Sequence, residues 1–344
     1  MFIEPAVAGK LVYVGSCAGQ FLAFDAVSGK ILWEFDVTDE GGISFHGNPV
    51  LADSLIFFGT DAGSNGVGAV YALNRFSGRL LWKSPEHLGI ASDFSTDGDS
   101  LIYAVTLDDS LLALNMNNGK QIWGYYTGWQ TSGEDDYDLS IRIPKVVSSP
   151  RYQDGRVIFD GRDSSIQCFS SKSGQLVWSH ALGCIETSSL QLYKNRVLIA
   201  TSDYFLQFYE LGSGKIVDSI RLPYLALGGM ALKDSSLVFL AGYEDNRPKE
   251  LVSLNLGTDS VEWVASLKSN DSNEYWYVPR VHIWNNEVVV GSTGGKVVAF
   301  NLNDGKTNWV YQLPKPIRGI GSSESMLYVG TFSGGLYAFS KSTE

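Results

Sequence analysis

Ala23-Phe-Asp-Ala-Val-Ser-Gly-Lys-Ile-Leu-Trp33 decides the fold, because the chain repeats it. A small or apolar residue leads, Asp or Asn follows two residues on, Gly six on and Trp ten on. Full copies stand at Ala72–Trp82, Ala113–Trp123 and Ala299–Trp309, and weaker ones start at Cys168, Phe208, Ser253 and Ala338. Successive starts lie 39 to 55 residues apart. Around each copy, short runs of Val, Ile and aromatic residues alternate with Gly-containing turns, which is the chemistry of strands and hairpins. The first unit reads Pro5-Ala-Val7, Leu11–Gly15, Phe21–Asp25 and Ile31–Phe35.

Four strand-length segments per repeat of this period predict a β-propeller blade. Eight units predict an all-β, eight-bladed β-propeller of four-stranded antiparallel blades. It would form one domain over residues 1–344, with blades starting near residues 5, 47, 91, 147, 186, 225, 278 and 317. The last unit stops before a fourth strand. The N-terminal segment Met1–Glu4 is expected to close that blade, since an unpaired edge invites aggregation.

Each motif position has a physical reason. Gly tolerates the positive φ of a tight hairpin, and Asp or Asn accepts hydrogen bonds from turn amides. The small leading residue leaves room for a ring. Trp brings a large flat face, and an N–H to satisfy, to the seam between blades. Trp33, Trp82, Trp123, Trp178, Trp263 and Trp309 therefore read as structural. Asp218 takes the Trp slot of unit five, the expected weakest seam, and Asp259 takes the Gly slot of unit six.

Composition bounds the function. A hydrophobic fraction of 44% with 12% aromatics excludes global disorder. A net charge of −11 argues against a nucleic-acid partner, which needs concentrated Lys and Arg. Cys17, Cys168 and Cys184 give an odd count without metal-type spacing, so free thiols are the default and a Cys168–Cys184 bridge stays open. The N-terminus has neither a signal-peptide pattern nor a lipid-bearing Cys. No apolar run reaches the roughly 18 residues of a membrane span. The location is the periplasm or cell envelope if a leader was removed, and otherwise the cytoplasm.

The repeat resembles the tryptophan-docking repeat of the PQQ-type (quinoprotein-like) propeller family. Ala23–Trp33 matches that family's Ala-x-Asp-x-x-Thr-Gly-Lys-x-x-Trp at every position but the Thr, where Ser28 stands. The resemblance covers essentially the whole chain and implies fold more than function. Quinoprotein alcohol dehydrogenases are one branch, longer than this chain, with an adjacent Cys-Cys pair over the quinone and a Ca²⁺-binding carboxylate and amide set. No two cysteines are adjacent here, and Asn74, Asn115, Asn255 and Asn301 occupy the turn slot. The other branch, BamB-like scaffold proteins, implies a non-catalytic docking module of the bacterial cell envelope. The expectation is a scaffold without cofactor or metal. A small-molecule or glycan-binding sensor domain is the alternative, and a PQQ-dependent dehydrogenase the third reading.

Catalytic constellations are not defined by spacing. His46, His87, His180 and His282 fall in four units, and Glu134-Asp-Asp-Tyr-Asp138 lacks the spacing and central Gly of an EF-hand. The repeat is interrupted in the connections from fourth to first strand and from second to third, which share one propeller face. Exposed aromatic and basic residues there suit a protein interface. The candidate partner-binding residues are Trp129, Trp276, Tyr275, Tyr126 and Tyr243, with Arg280 and Arg318 near the channel mouth.

Overall fold

The computed structural model describes residues 4–16, 18–40, 45, 47–60, 67–85, 87–90, 92–127, 149–161, 163–184, 187–242, 248–267, 281–332 and 334–340. Seven sheets of four antiparallel strands follow one another along the chain, each in simple sequence order, and an eighth has three. Blade 1 is Ala6–Ala8, Leu11–Gly15, Gln20–Asp25 and Ile31–Asp36. Blade 8 is Ile317–Ser322, Met326–Thr331 and Leu336–Ser340. The protein is an eight-bladed β-propeller. The closing segment expected from Met1–Glu4 lies, apart from Glu4, outside the described residues.

First strands neighbour one another around the axis, while fourth strands face outward with alternating exposure. The apolar core is therefore divided among the seams. Tyr13, Phe21 and Trp33 of blade 1 pack on Ile56, Phe58 and Tyr71 of blade 2, where Phe21 and Phe58 stack with centroids 4.1 Å apart. The ring closes more thinly, with Val12 and Ala26 of blade 1 against Tyr328 of blade 8.

The motif's spacing follows from one irregularity in each of the six Trp-bearing blades. The register between third and fourth strands shifts just after the small residue, which leaves that residue directly opposite Trp. The pairs are Ala23–Trp33, Ala72–Trp82, Ala113–Trp123, Cys168–Trp178, Ser253–Trp263 and Ala299–Trp309. Five of the six motif indole N–H groups cross to the next blade. Trp33, Trp82, Trp123, Trp178 and Trp263 donate to the carbonyls of Arg75, Met116, Ser171, Leu211 and Leu302 at 2.8–3.0 Å.

Three residues beyond each acceptor stands the motif Gly, at φ between +67° and +69°. A Cβ added at Gly119 would lie 2.4 Å from the Trp82 ring, and one at Gly78 would lie 2.7 Å from Trp33. Gly thus meets two demands, a backbone conformation and a flat seat for indole. Asp25 Oδ1 squares the same turn by accepting the Ser28 N–H at 2.7 Å.

Two units depart from this scheme. Trp309 donates to the Glu287 carboxylate of its own blade at 3.2 Å and stacks on Phe339. In blade 1 the equivalent acceptor, the Ala26 carbonyl, takes the Tyr328 hydroxyl at 3.0 Å instead of an indole. Packing also revises the expectation that Asp218 marks a weak seam. Phe208 stands opposite Asp218 in the small-residue slot. It is fully buried among Leu206, Leu222, Leu237 and Phe239.

Candidate functional site

Departures from the repeat concentrate at the axis and on the face carrying the second-to-third and fourth-to-first connections. At the axis, Glu4, Asn48, Asp93 and Ser149 stand two residues ahead of the first strands of blades 1 to 4. The side chains of Asn48, Asp93 and Ser149 each serve the preceding blade. The Glu4 N–H donates to Asn48 Oδ1 at 3.2 Å, the Asn48 N–H to Asp93 Oδ1 at 3.0 Å, and the Asp93 N–H to Ser149 Oγ at 3.2 Å. Blades 5 and 6 are joined by backbone instead, with Ser189 N–H donating to the Gly228 carbonyl and Gly228 N–H to Thr187, both at 3.0 Å.

A cavity of about 250 Å³ opens beside this belt, with Glu4, Asn48, His282 and Ser322 as polar lining and Pro5 and Pro49 as apolar walls. His282 Nε2 is 2.8 Å from Ser322 Oγ. Its Nδ1 is 3.9 Å from Glu4 Oε1, beyond hydrogen-bond range. Asn48 Nδ2 donates to the other Glu4 oxygen at 2.8 Å.

Hydroxyl, imidazole and carboxylate in this order have the sequence of a nucleophile, base and orienting acid. The electrostatics oppose that role. Burial pushes His282 down to about 4. Such an imidazole is a poor acceptor for a hydroxyl proton, and Glu4 is too distant to orient it. The His282–Ser322 bond ties blade 7 to blade 8.

A quinone cofactor with three carboxylates would meet here one carboxylate and an imidazole kept neutral by burial. The residues lining this cavity do not fit it. Nor, among the described residues, do three or more His, Cys, Asp or Glu side chains gather as a metal site requires. The remaining described histidines are packed singly. His180 sits edge-on to Tyr209 with centroids 5.0 Å apart, and burial pushes His87 below its ordinary value. His46 lies outside the described residues. Cys168 and Cys184 are free thiols. Burial raises both, Cys168 to about 12, so neither is a thiolate near neutrality.

On the loop-rich face, the structure describes two of the seven candidate partner-binding residues. Tyr126 ends the fourth strand of blade 3 and is 52% exposed. Arg318 lies on the first strand of blade 8, its guanidinium 5.7 Å from the Phe332 ring centroid. Trp129, Tyr243, Tyr275, Trp276 and Arg280 lie outside the described residues. The same face carries a feature the sequence reading missed, a two-stranded ladder of Val67–Gly68 with His87–Leu88. It ties two connections of blade 2 together. The axial belt was also missed, although its signal was present: Glu4, Asn48 and Ser149 each precede a Pro that leads into a first strand.

Comparison with known proteins places this architecture. A family model described as outer membrane protein assembly factor BamB matches residues 3–161, 66–233 and 162–343. The BamB of Yersinia pestis is 26% identical over 187 residues, 52% of this chain and 44% of that protein. Tetrathionate hydrolase of Acidithiobacillus ferrooxidans is 23% identical over 345 residues, 95% of this chain and 61% of that enzyme. The chain thus spans about half the length of these curated relatives. The crystal structure of BamB from Moraxella catarrhalis superposes with a TM-score of 0.75 over 98% of this chain and 96% of that one. At 14% identity this is a likeness of fold alone. Among the described residues no helix is long and apolar enough to cross a membrane. Matched from residue 3 to residue 343, the chain belongs to the family described as outer membrane protein assembly factor BamB.

Proposed function

We propose that this chain is a non-catalytic protein-interaction scaffold of the bacterial cell envelope, a single propeller domain that holds a protein partner on its loop-rich face. The family match along the whole repeat carries this reading. The position of the interruptions supports it, since aromatic insertions concentrate on one face, where Tyr126 is half exposed. Trp129, Trp276, Tyr275 and Tyr243 are the proposed aromatic anchors, with Arg280 and Arg318 beside the axis. Large aromatics and Arg dominate the energetics of protein interfaces.

The test is capture of partners from native extract on the immobilised chain, with Trp129→Ala/Trp276→Ala beside wild type. The scaffold reading expects a discrete partner that the double variant loses. Identical capture by both chains contradicts it.

A second reading, a small-molecule or glycan sensor, draws support from the polar axial cavity and from the tetrathionate hydrolase relative that spans most of the chain. It expects a saturable, ligand-dependent rise in melting temperature with tetrathionate or an oligosaccharide as probe. The quinone-dependent reading has less support, because the residues lining the axial cavity do not suit a tricarboxylate.

A further inference from the structure

The turn joining third and fourth strands contains a slot at its tip, two residues after the motif's Asp or Asn position. Blades 3 to 7 place Asn117, Lys172, Gly212, Gly257 and Asn303 there. Blades 1 and 2 place Val27 and Phe76, which are 83% and 57% exposed. The turns themselves are alike. Val27 N–H donates to Asp25 Oδ1 at 3.2 Å, Phe76 N–H to Asn74 Oδ1 at 3.1 Å and Asn117 N–H to Asn115 Oδ1 at 2.9 Å. Turn tips favour polar residues and Gly. Two apolar tips on neighbouring blades therefore have their reason outside the fold.

The two tips belong to one edge. Trp33 of blade 1 donates to the Arg75 carbonyl, holding the blade 1 outer strand against the turn that carries Phe76. This edge is also basic, in a chain whose net charge is −11. Lys10, Lys30 and Arg79 are exposed on the turns of the two blades, and the Arg75 guanidinium lies 4.7 Å over the Phe76 ring. The acids of the same turns are Asp25, whose carboxylate is engaged by its own turn amides, and Asp53. Strand order places these turns on the face opposite the long insertions, so this surface is separate from the one assigned above.

We propose that the Val27–Phe76 edge docks an acidic segment of a protein partner that brings apolar side chains to the two tips. Charge complementarity selects the sign of the segment and steers its approach. A bilayer is the other anionic surface of suitable chemistry. A plane laid on this face would also meet the turns of other blades, where Asp97, Asp99 and Asp154 alternate with Lys120, Lys172 and Lys215 and the charge is mixed, whereas a narrow segment meets blades 1 and 2 alone.

The experiment follows fluorescence anisotropy of a labelled Glu/Leu peptide titrated with the full chain. A Lys/Leu peptide and phosphatidylglycerol-containing vesicles serve as comparison probes. Val27→Asn/Phe76→Asn installs the residue that blades 3 and 7 carry in this slot, and Lys30→Glu/Arg79→Glu reverses the charge. The expected result is saturable binding of the acidic peptide, weakened by salt and by each double variant at least about tenfold. Circular dichroism and melting temperature establish that the variants are folded, and each pair is an independent reading should the other fail to fold. Four results overturn the proposal: no binding of the acidic peptide, equal binding by the Asn variant, equal binding of the basic peptide, or sedimentation with vesicles in place of peptide binding.

Discussion

Between blades 2 and 3, Trp82 stands opposite Ala72 on its own sheet and lies over Gly119 of the next blade. Its indole N–H reaches the Met116 carbonyl at 2.8 Å. Between blades 5 and 6, the same three slots hold Phe208, Asp218 and Asp259. There the ring comes from the third strand rather than the fourth, and it is Phe208 that is fully buried against blade 6. No indole lies over residue 259, so a Cβ is tolerated where Gly119 has none to spare. Asp259 keeps the turn's positive φ, at +52°, a conformation Asp adopts more readily than most residues. The difference teaches that small residue, Trp and Gly are one packing unit spread over two blades, and that they change together.

The largest effect should come from emptying the first seam. Trp82→Ala removes a buried indole and its hydrogen bond, and is expected to cost about 3–5 kcal/mol in urea unfolding. Asp218→Ala, at the slot where the seam is already filled by Phe208, should stay within about 0.5 kcal/mol. Equal losses at the two positions would break the comparison.

Gly119→Ala and Gly29→Ala separate the two demands made on the motif glycine. Both sit at φ +68°, but a Cβ at residue 119 meets the Trp82 ring at 2.4 Å, while one at residue 29 meets nothing within 4 Å. Gly29→Ala is expected to cost about 1 kcal/mol, for backbone conformation alone. Gly119→Ala is expected to cost about 2–4 kcal/mol, since overpacking adds to it. In a Trp82→Ala background, the cost of Gly119→Ala should fall to that of Gly29→Ala.

The smallest expected effect is at Asp259. Replacing it by Gly relieves the left-handed conformation with no ring to seat, so a gain of about 0.5 kcal/mol is expected in the denaturation midpoint. A loss there would mean that the Asp259 side chain has a role beyond the turn.

Much of this architecture was legible because it is repeated. The Asp, Gly and Trp slots recur at fixed spacing, so hairpin chemistry and blade number could be read from residue types alone. The exceptions were harder for a physical reason. Phe208, Asp218 and Asp259 were each visible as departures, but their compensation is three-dimensional, across a strand pair and across a seam. Asp218 read singly suggested weakness, and only the position of Phe208 shows what fills the space. The axial belt was obscured because Asn48, Asp93 and Ser149 differ in type while doing the same job, which is accepting an N–H from the preceding blade. Trp309 illustrates the reverse case, since a perfect motif residue finds its partner at Glu287 within its own blade.

The coupled-unit account is tested most directly by rebuilding the seam between blades 5 and 6. Asp218→Trp alone, Phe208→Ala/Asp259→Gly as a pair, and all three substitutions together form a cycle in equilibrium unfolding. The account predicts that Asp218→Trp alone destabilises by about 1–3 kcal/mol, because the indole meets Phe208 across the sheet and the Asp259 Cβ across the seam. It predicts that the pair alone opens a cavity and loses more. The triple variant should recover to within about 1 kcal/mol of wild type, with the new indole donating to the Leu256 carbonyl. A triple variant whose loss equals the sum of the other two would contradict it.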